Sequence, residues 1–352
     1  MPTGTSRAGA VASALRVILL PAVAALVLGS AGAKADDRGR VTVIEENDSI
    51  AGPTDKHYTQ GLRISYLSAP VEPGAAFDRM FDGLGDALFP ADSGARRHTD
   101  WAIGQSIFTP TDLKRRFPDP ADRPYGAWLY GSAGLIQDTD SRRLDVLEVQ
   151  LGMVGPAALG RQAQNRWHQY VIHVDTALGW SSQLHNEPGL VASYGRKWRL
   201  AGNFTGSAWD ADVVPSAGAT LGNVFTYAEG GAMLRLGYNL GSDYGPPRIA
   251  PGQSGTDYVN AHPAGGDLGA YVFVGGEGRL VARNIFLDGS SFGPSPSVDK
   301  RMAVGDLSFG ASVLWGPYVR GSFAYVVRSE EFIGQRGADH FPSVGLSVHL
   351  DW

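Results

Sequence analysis

Cysteine is absent from the 352-residue chain. An exported protein so built must hold its fold by burial and strand pairing, with neither disulfides nor thiolate metal sites. Long apolar runs are also missing: after the first 35 residues none approaches the roughly 20 that a membrane-spanning helix needs. If such a chain crosses a bilayer it does so as a β-barrel, the other structure that pairs its backbone groups inside lipid. Metal-type histidine spacing is lacking too. His57, His98, His173, His185, His262, His340 and His349 form no His-Glu-x-x-His pattern with one another or with His168, which leaves a zinc hydrolase unsupported.

What is present begins with an export signal. Residues 1–35 carry a short basic start (Arg7, Arg16), an apolar run from Val17 to Leu28, and Ala33-Lys34-Ala35 ahead of Asp36-Asp37. Cleavage after Ala35 leaves 317 residues, 36–352, as a single outer-membrane barrel domain. It removes Arg7, Arg16 and Lys34 from the 30 Lys+Arg, leaving 27 against 35 Asp+Glu, a net charge of about −8. That balance argues against nucleic acid as a partner.

The chain closes on Ser343-Val344-Gly345-Leu346-Ser347-Val348-His349-Leu350-Asp351-Trp352, in which every second residue from Val344 is apolar. Side chains alternate across a strand, so this segment presents an apolar face to one medium and a polar face to another. Such a strand suits a barrel in lipid. The 47 Gly suit curved strands and turns, and the 13 Tyr and 8 Trp suit interfacial girdles. The chain therefore reads as all-β, a transmembrane antiparallel barrel of about twelve strands with a helical extracellular loop. The strands are expected near 41–47, 58–68, 99–108, 124–137, 141–154, 189–200, 206–220, 224–239, 267–282, 301–314, 317–330 and 343–352. If the first strand runs outward, the outer loops include 48–57, 109–123, 155–188, 285–300 and 331–342. Two long connections, 69–98 and 240–266, then fall on the periplasmic side, as unusually long segments or as a sign of a wrong strand count.

From Gly155 to Pro188 the alternation disappears, and Ala157 to Ile172 favours helix. Gln164 and His168 are four apart and share one helical face. A neutral imidazole near pKa 6.5 can take a proton from water, with Gln164 or the nearby Asp175 fixing its orientation. The plain alternative is a surface histidine on a polar helix. Hard oxygen donors at Asn47, Asp48 and Thr59, with Glu46 as a further donor, could hold Ca²⁺ at the outer ends of two strands. An Asn/Asp/Gly/Pro-rich loop capping a hairpin has the same composition. Lys114, Arg115, Arg116 and Arg123, with Arg161 and Arg166, could meet phosphate groups. Gly289-Ser290-Ser291-Phe292-Gly293 matches G-x-S-x-G but precedes Pro294-Ser295-Pro296 with no helix to follow, and reads as a chance match.

Asn47-Asp48, then Thr54-Asp55-Lys56-His57-Tyr58-Thr59-Gln60-Gly61-Leu62, resembles the opening signature of the LpxR-like lipid A deacylases of Gram-negative outer membranes. The likeness continues through Gln105-Ser106-Ile107-Phe108-Thr109-Pro110, Asp122-Arg123-Pro124-Tyr125, Gln164-Asn165-Arg166-Trp167-His168 and Gly179-Trp180-Ser181 to Glu187-Pro188. It then covers Leu221-Gly222-Asn223, Asn284 to Gly289 and the last strand. Two departures stand out: Gly126 is preceded by Tyr125 where the family has Ala, and the stretch from Trp167-His168 to Gly179-Trp180 is a residue longer.

The resemblance implies a twelve-stranded barrel whose active site lies between the outer wall and a loop helix, facing the outer leaflet. It implies Ca²⁺-dependent hydrolysis of the 3′-linked acyloxyacyl ester of lipid A, so lipopolysaccharide is the partner and the outer membrane the location. By position His168 is the general base, Gln164 its neighbour, and Asn47, Asp48 and Thr59 surround metal and substrate. Asp175 stands for the carboxylate a turn beyond the histidine. Arg123 and Glu187 are carried as further substrate-side residues. Two other readings remain: a serine-type outer-membrane lipase using Ser291, and a non-catalytic, porin-like barrel.

Overall fold

The computed structural model describes residues 39–50, 55–90, 92, 94–140, 142–202, 209–240, 242–249, 257–260, 268–316 and 318–350. The export signal over 1–35 and the terminal Asp351 and Trp352 lie outside the described residues. Among the described residues, twelve long strands pair antiparallel in chain order: β1 (Arg40–Asn47), β2 (His57–Leu67), β3 (Ala95–Thr109), β4 (Gly126–Thr139), β5 (Arg143–Val154), β6 (Glu187–Trp198), β7 (Trp209–Gly222), β8 (Phe225–Tyr238), β9 (Leu268–Asn284), β10 (Ala303–Trp315), β11 (Val319–Arg328) and β12 (Asp339–His349). Closure comes from β1 against β12, with Glu45 opposite Val344, and from β6 against β7, with Tyr194 opposite Ala219. All twelve expected strands are present. The last is set further toward the outer rim than its alternation alone suggested, beginning at Asp339.

A strand's two faces meet two media here. On β3, Trp101 and Ile103 stand 48% and 57% exposed while Asp100, next to Trp101 on the opposite face, is fully buried. The exposed series is the lipid-facing wall. Inward residues fill the lumen with paired charge: Arg63 donates to Glu148 (3.1 Å) and Asp100 (3.0 Å), Arg235 to Asp212 (2.6 Å), and Arg328 to Asp306 (2.8 Å). Burying these ions alone would be prohibitive, so each guanidinium is matched to a carboxylate.

The two long connections leave the strand count intact. Residues 68–94 carry α1 (Ala76–Leu84), which lies on the outside of the periplasmic end. Its Phe81 clusters with Phe89 and with the outward-facing Leu135 and Leu147, while Arg97 holds Asp78 and Asp82, each at 2.8 Å. The β8–β9 connection turns into the barrel. Tyr244 donates to Asp138 near the periplasmic end of β4, and Ile249 N–H donates to Glu46 near the outer end of β1 (3.1 Å). Asp257 then pairs with Arg40 back at the periplasmic end (3.3 Å). Its described residues thus lie in the lumen, 242–249 reaching the outer end and 257–260 lying at the periplasmic end, and they add no strand to the wall. No helix among the described residues is long and apolar enough to cross a membrane.

Candidate active site at the outer rim

The wall contributes the first half of the site through strand parity and one bulge. Asn47 and Glu45 share the outward face of β1, where Gln60 Nε2 donates to Glu45 Oε1 (2.9 Å) and Asn47 Nδ2 does so at 3.4 Å. Glu46, one residue away, points into the lumen toward Ile249 and Arg248, which removes it from the expected oxygen-donor set. An irregularity between Tyr58 and Gln60 inserts Thr59 as an extra residue in β2. Bulges re-aim side chains, and this one sets the Thr59 hydroxyl against that of Thr109 at 2.6 Å.

The outer loop between β5 and β6 contributes the second half. Helix α2 (Gly160–Trp167) continues through a π turn at His168–Ile172 and ends on His173 in a left-handed conformation. This matches the expected helical stretch, and a π turn at its working end widens the backbone where His168 projects. Gly160 lets the helix approach the wall, because a Cβ there would meet the Ala127 methyl at 2.5 Å. The buried Trp180 seals the gap, its indole Nε1–H donating to Gln164 Oε1 (2.8 Å).

Gln164 and His168 then converge on Asp55, in the loop entering β2. Gln164 Nε2 donates to Asp55 Oδ1 at 3.1 Å, and His168 Nε2 forms an ion pair with Asp55 Oδ2. His168 Nδ1 donates to the backbone carbonyl of Asp175 (2.7 Å). Both ring nitrogens thus face acceptors, an arrangement that favours the protonated ring. Burial alone would lower the His168 pKa, but the Asp55 carboxylate and the Asp175 carbonyl outweigh it and raise the pKa above the ordinary histidine value.

The expected site residues divide. Asn47, Asp48, Thr59, Gln164 and His168 all sit at this rim. Asp175 contributes only its carbonyl; its side chain is 86% exposed, 3.8 Å from Lys114. Arg123 is fully buried on the lumenal side, stacked 5.0 Å over Phe108 and donating to Glu331 (3.0 Å), so it does not face the rim site. Glu187 ties loops together, accepting from Asn223 Nδ2 (3.0 Å) and Ser291 N–H (2.7 Å). Ser291 Oγ accepts from Arg283 (2.7 Å), a cation in place of the base a nucleophile needs. Sequence reasoning missed Asp55 as a partner of His168, and Glu45 with Gln60 on the wall. Parity with Asn47 would have put Glu45 on the site's face.

A second cluster braces the loops. His57 Nδ1 meets Asp339 Oδ1 at 2.7 Å, and Thr111 N–H donates to Asp122 Oδ2 at 2.7 Å. Burial would raise the Asp122 pKa, but bonds to His57, Thr111 and the Arg123 backbone hold it down at about 2.

The donor chemistry for a hard cation is partly assembled. Asp48 Oδ2 accepts from Lys56 N–H (2.7 Å), while its Oδ1 is buried without a hydrogen-bond partner. Burial first, then the neighbouring charges of Asp55 and Asp339, push the Asp48 carboxyl well above the usual carboxylate range. An orphaned oxygen among like charges is a place a cation would relieve. Among the described residues, no ready group of three or more His, Asp or Glu side chains stands around it. Asn47 and Thr59 would supply neutral oxygens.

Comparison with known proteins agrees with this geometry. The family profile described as "Outer membrane protein LpxR" matches residues 15–350. Among solved structures, LpxR from Salmonella typhimurium is 21% identical with a TM-score of 0.70, covering 88% of this chain and 99% of its own. The beta domain of the Bordetella autotransporter BrkA is 10% identical at a TM-score of 0.43, covering 89% and 98%. The COG4313 outer membrane channel from Pseudomonas putida F1 is 10% identical at 0.42, covering 92% and 98%. No curated protein sequence matches.

Proposed function

The chain belongs to the LpxR family of outer membrane proteins, and on that premise we propose that it is a lipid A deacylase that hydrolyses the 3′-linked acyloxyacyl ester at the outer rim. The observation that carries this reading is the convergence of Asp55, Gln164 and His168 between α2 and the outer face of the wall, directly above lipid-facing strands. An ester hydrolase of membrane lipid needs a base at the boundary between polar and apolar surface, and this is where the three residues meet.

Nδ1 of His168 is committed to the Asp175 carbonyl, which leaves Nε2 as the nitrogen that exchanges protons. Above its raised pKa the ring is neutral at Nε2, and a water inserted between Nε2 and the Asp55 carboxylate then gives up its proton to Nε2 while its oxygen attacks the ester carbonyl. Asp55 stabilises the imidazolium that forms, and the same proton passes to the departing alkoxide. Gln164, fixed by Trp180, keeps Asp55 in register. No protein nucleophile is required. Ca²⁺ would be held by Asp48 with Asn47 and Thr59, and when bound it supplies Lewis-acid polarisation of the ester carbonyl.

Mass spectrometry of lipid A from cells expressing the wild type and His168→Ala, with Ca²⁺ or with a chelator, tests the reading. The wild type with Ca²⁺ removes the acyloxyacyl group and the variant leaves it in place. Intact lipid A with the wild type and Ca²⁺ would overturn the proposal.

A further inference from the structure

We propose that a trough on the lipid-facing wall beneath α2 seats one acyl chain of the lipid substrate and limits its length; the inference rests on the deacylase reading. Outward residues of β2 to β5 line up in rows fixed by register. Ile64 stands opposite Ile103, Ile103 opposite Gly131, and Gly131 opposite Leu151; one step toward the periplasm, Tyr66, Trp101, Ala133 and Val149 repeat the pattern. The middle strand, β4, contributes only Gly131 and Ala133, whereas its neighbours contribute Ile103 and Leu151, 57% and 62% exposed. The result is an apolar depression of about 640 Å³ that spans the wall from β1 to β5 and is lowest over β4.

Nothing in the backbone requires glycine at 131. Its φ is not positive, and a Cβ there would meet only the Ala102 carbonyl oxygen, at 3.8 Å. The missing side chain therefore leaves open width, which is what a linear alkyl chain needs.

Both ends of the trough are defined. At the top, β4 continues through Leu129 to Ala127, which lies under Gly160 of α2, and Gln105 of β3 donates to the Ala158 carbonyl (2.6 Å). Gly131 is four residues from Ala127, about 13 Å along the strand. Leu129, half-buried and packed against the cluster of Ala127 and Trp180, stands between the two, so the trough begins one row below the rim helix. At the bottom, Phe77 of α1 meets Trp101 edge-on, with ring centroids 6.4 Å apart. An acyl chain leaving an ester held near His168 would descend between Ile103 and Leu151, and α1 would stop it. Its place directly below the rim helix, about 13 Å along β4 from Ala127, favours the substrate's own chain over bulk lipid or a second barrel.

Two measurements test this, each against Ala311→Leu, a small lipid-facing residue of β10 on another part of the wall. The first is hydrolysis of lipid A species with long and short acyl chains. Gly131→Leu fills the trough and slows the long-chain substrate about tenfold while sparing the short one; Ala311→Leu changes neither. The second needs no turnover. Lipid A with a diazirine at one acyl end is cross-linked to the His168→Ala protein in vesicles and mapped by peptide mass spectrometry, beside phosphatidylethanolamine carrying the same chain end. Label from lipid A concentrates on 101–103, 131–133 and 149–151, and Gly131→Leu abolishes that concentration. Equal slowing of both substrates, or the same labelling pattern from both lipids, would show an ordinary membrane-lipid contact and overturn the proposal. Intact lipid A with the wild type but labelling confined to the trough would remove the deacylase reading and leave the acyl seat standing.

Discussion

Asp55 and His168 form an ion pair across the gap between the loop entering β2 and the end of α2, and that pair locks the rim helix to the barrel wall. It also sets a pH dependence. His168 has a raised pKa in the folded state, so the pair's contribution to stability is fully present below the unfolded value of about 6.5 and is lost as pH rises through the raised value. Hydrolysis needs the opposite protonation state, so the rate climbs over that same window, above pH ~6.5. Asp55→Asn removes the main raising influence and moves the acid limb of the pH–rate profile downward, read from initial rates in detergent micelles. An unmoved limb would assign the limb to another group.

Gln164 bridges Trp180 and Asp55. Gln164→Ala keeps α2 in place through the packing of Gly160 and Trp180 yet frees Asp55, lowering kcat by about tenfold to a hundredfold with little change in KM. Gln164→Glu is worse than Gln164→Ala, since it sets a second carboxylate against Asp55. Steady-state kinetics on the two variants decide the order.

The orphaned Oδ1 of Asp48 ties cation binding to one atom. Asp48→Asn leaves the barrel folded, as heat-modifiable migration on gels will show, but raises the Ca²⁺ concentration needed for half-maximal activity at least tenfold. Chelation abolishes wild-type activity, and Ca²⁺ restores it.

Gly160 is needed for close approach: any Cβ there lies 2.5 Å from that of Ala127. Gly160→Val costs about 1–3 kcal/mol, lifts α2 from the wall and removes activity while the strands remain paired. Limited proteolysis within 155–188, compared with the wild type, reports the lifted loop.

The climb of 242–249 through the lumen predicts that the reconstituted barrel conducts ions far less than an open pore of the same strand number. Planar-bilayer recordings check this. Conductance on the scale of an open porin would mean that the segment leaves the lumen.

The strands were readable because each is long and two-faced: Trp101 and Ile103 against Asp100 is a pattern of period two that lipid and lumen impose directly. The helical stretch was readable from the loss of that period, and Gln164 and His168 from their spacing of four. The lumenal segment was not, since Tyr244, Arg248 and Asp257 follow no period and take their partners from four different strands. Asp175 and Arg123 looked like site residues because of their charge. One offers only its carbonyl, and the other faces Phe108 and Glu331 behind the wall.

The sequence by itself determined a twelve-stranded wall and a rim helix, because alternation and helical spacing are local properties that each segment expresses alone. Only the tertiary structure decided that Asp55 meets His168, that Glu45 faces the site while Glu46 faces the lumen plug, and that Gly131 opens a trough below α2. Each of these depends on register between strands and on where a loop returns, and register is set by closure of the whole barrel.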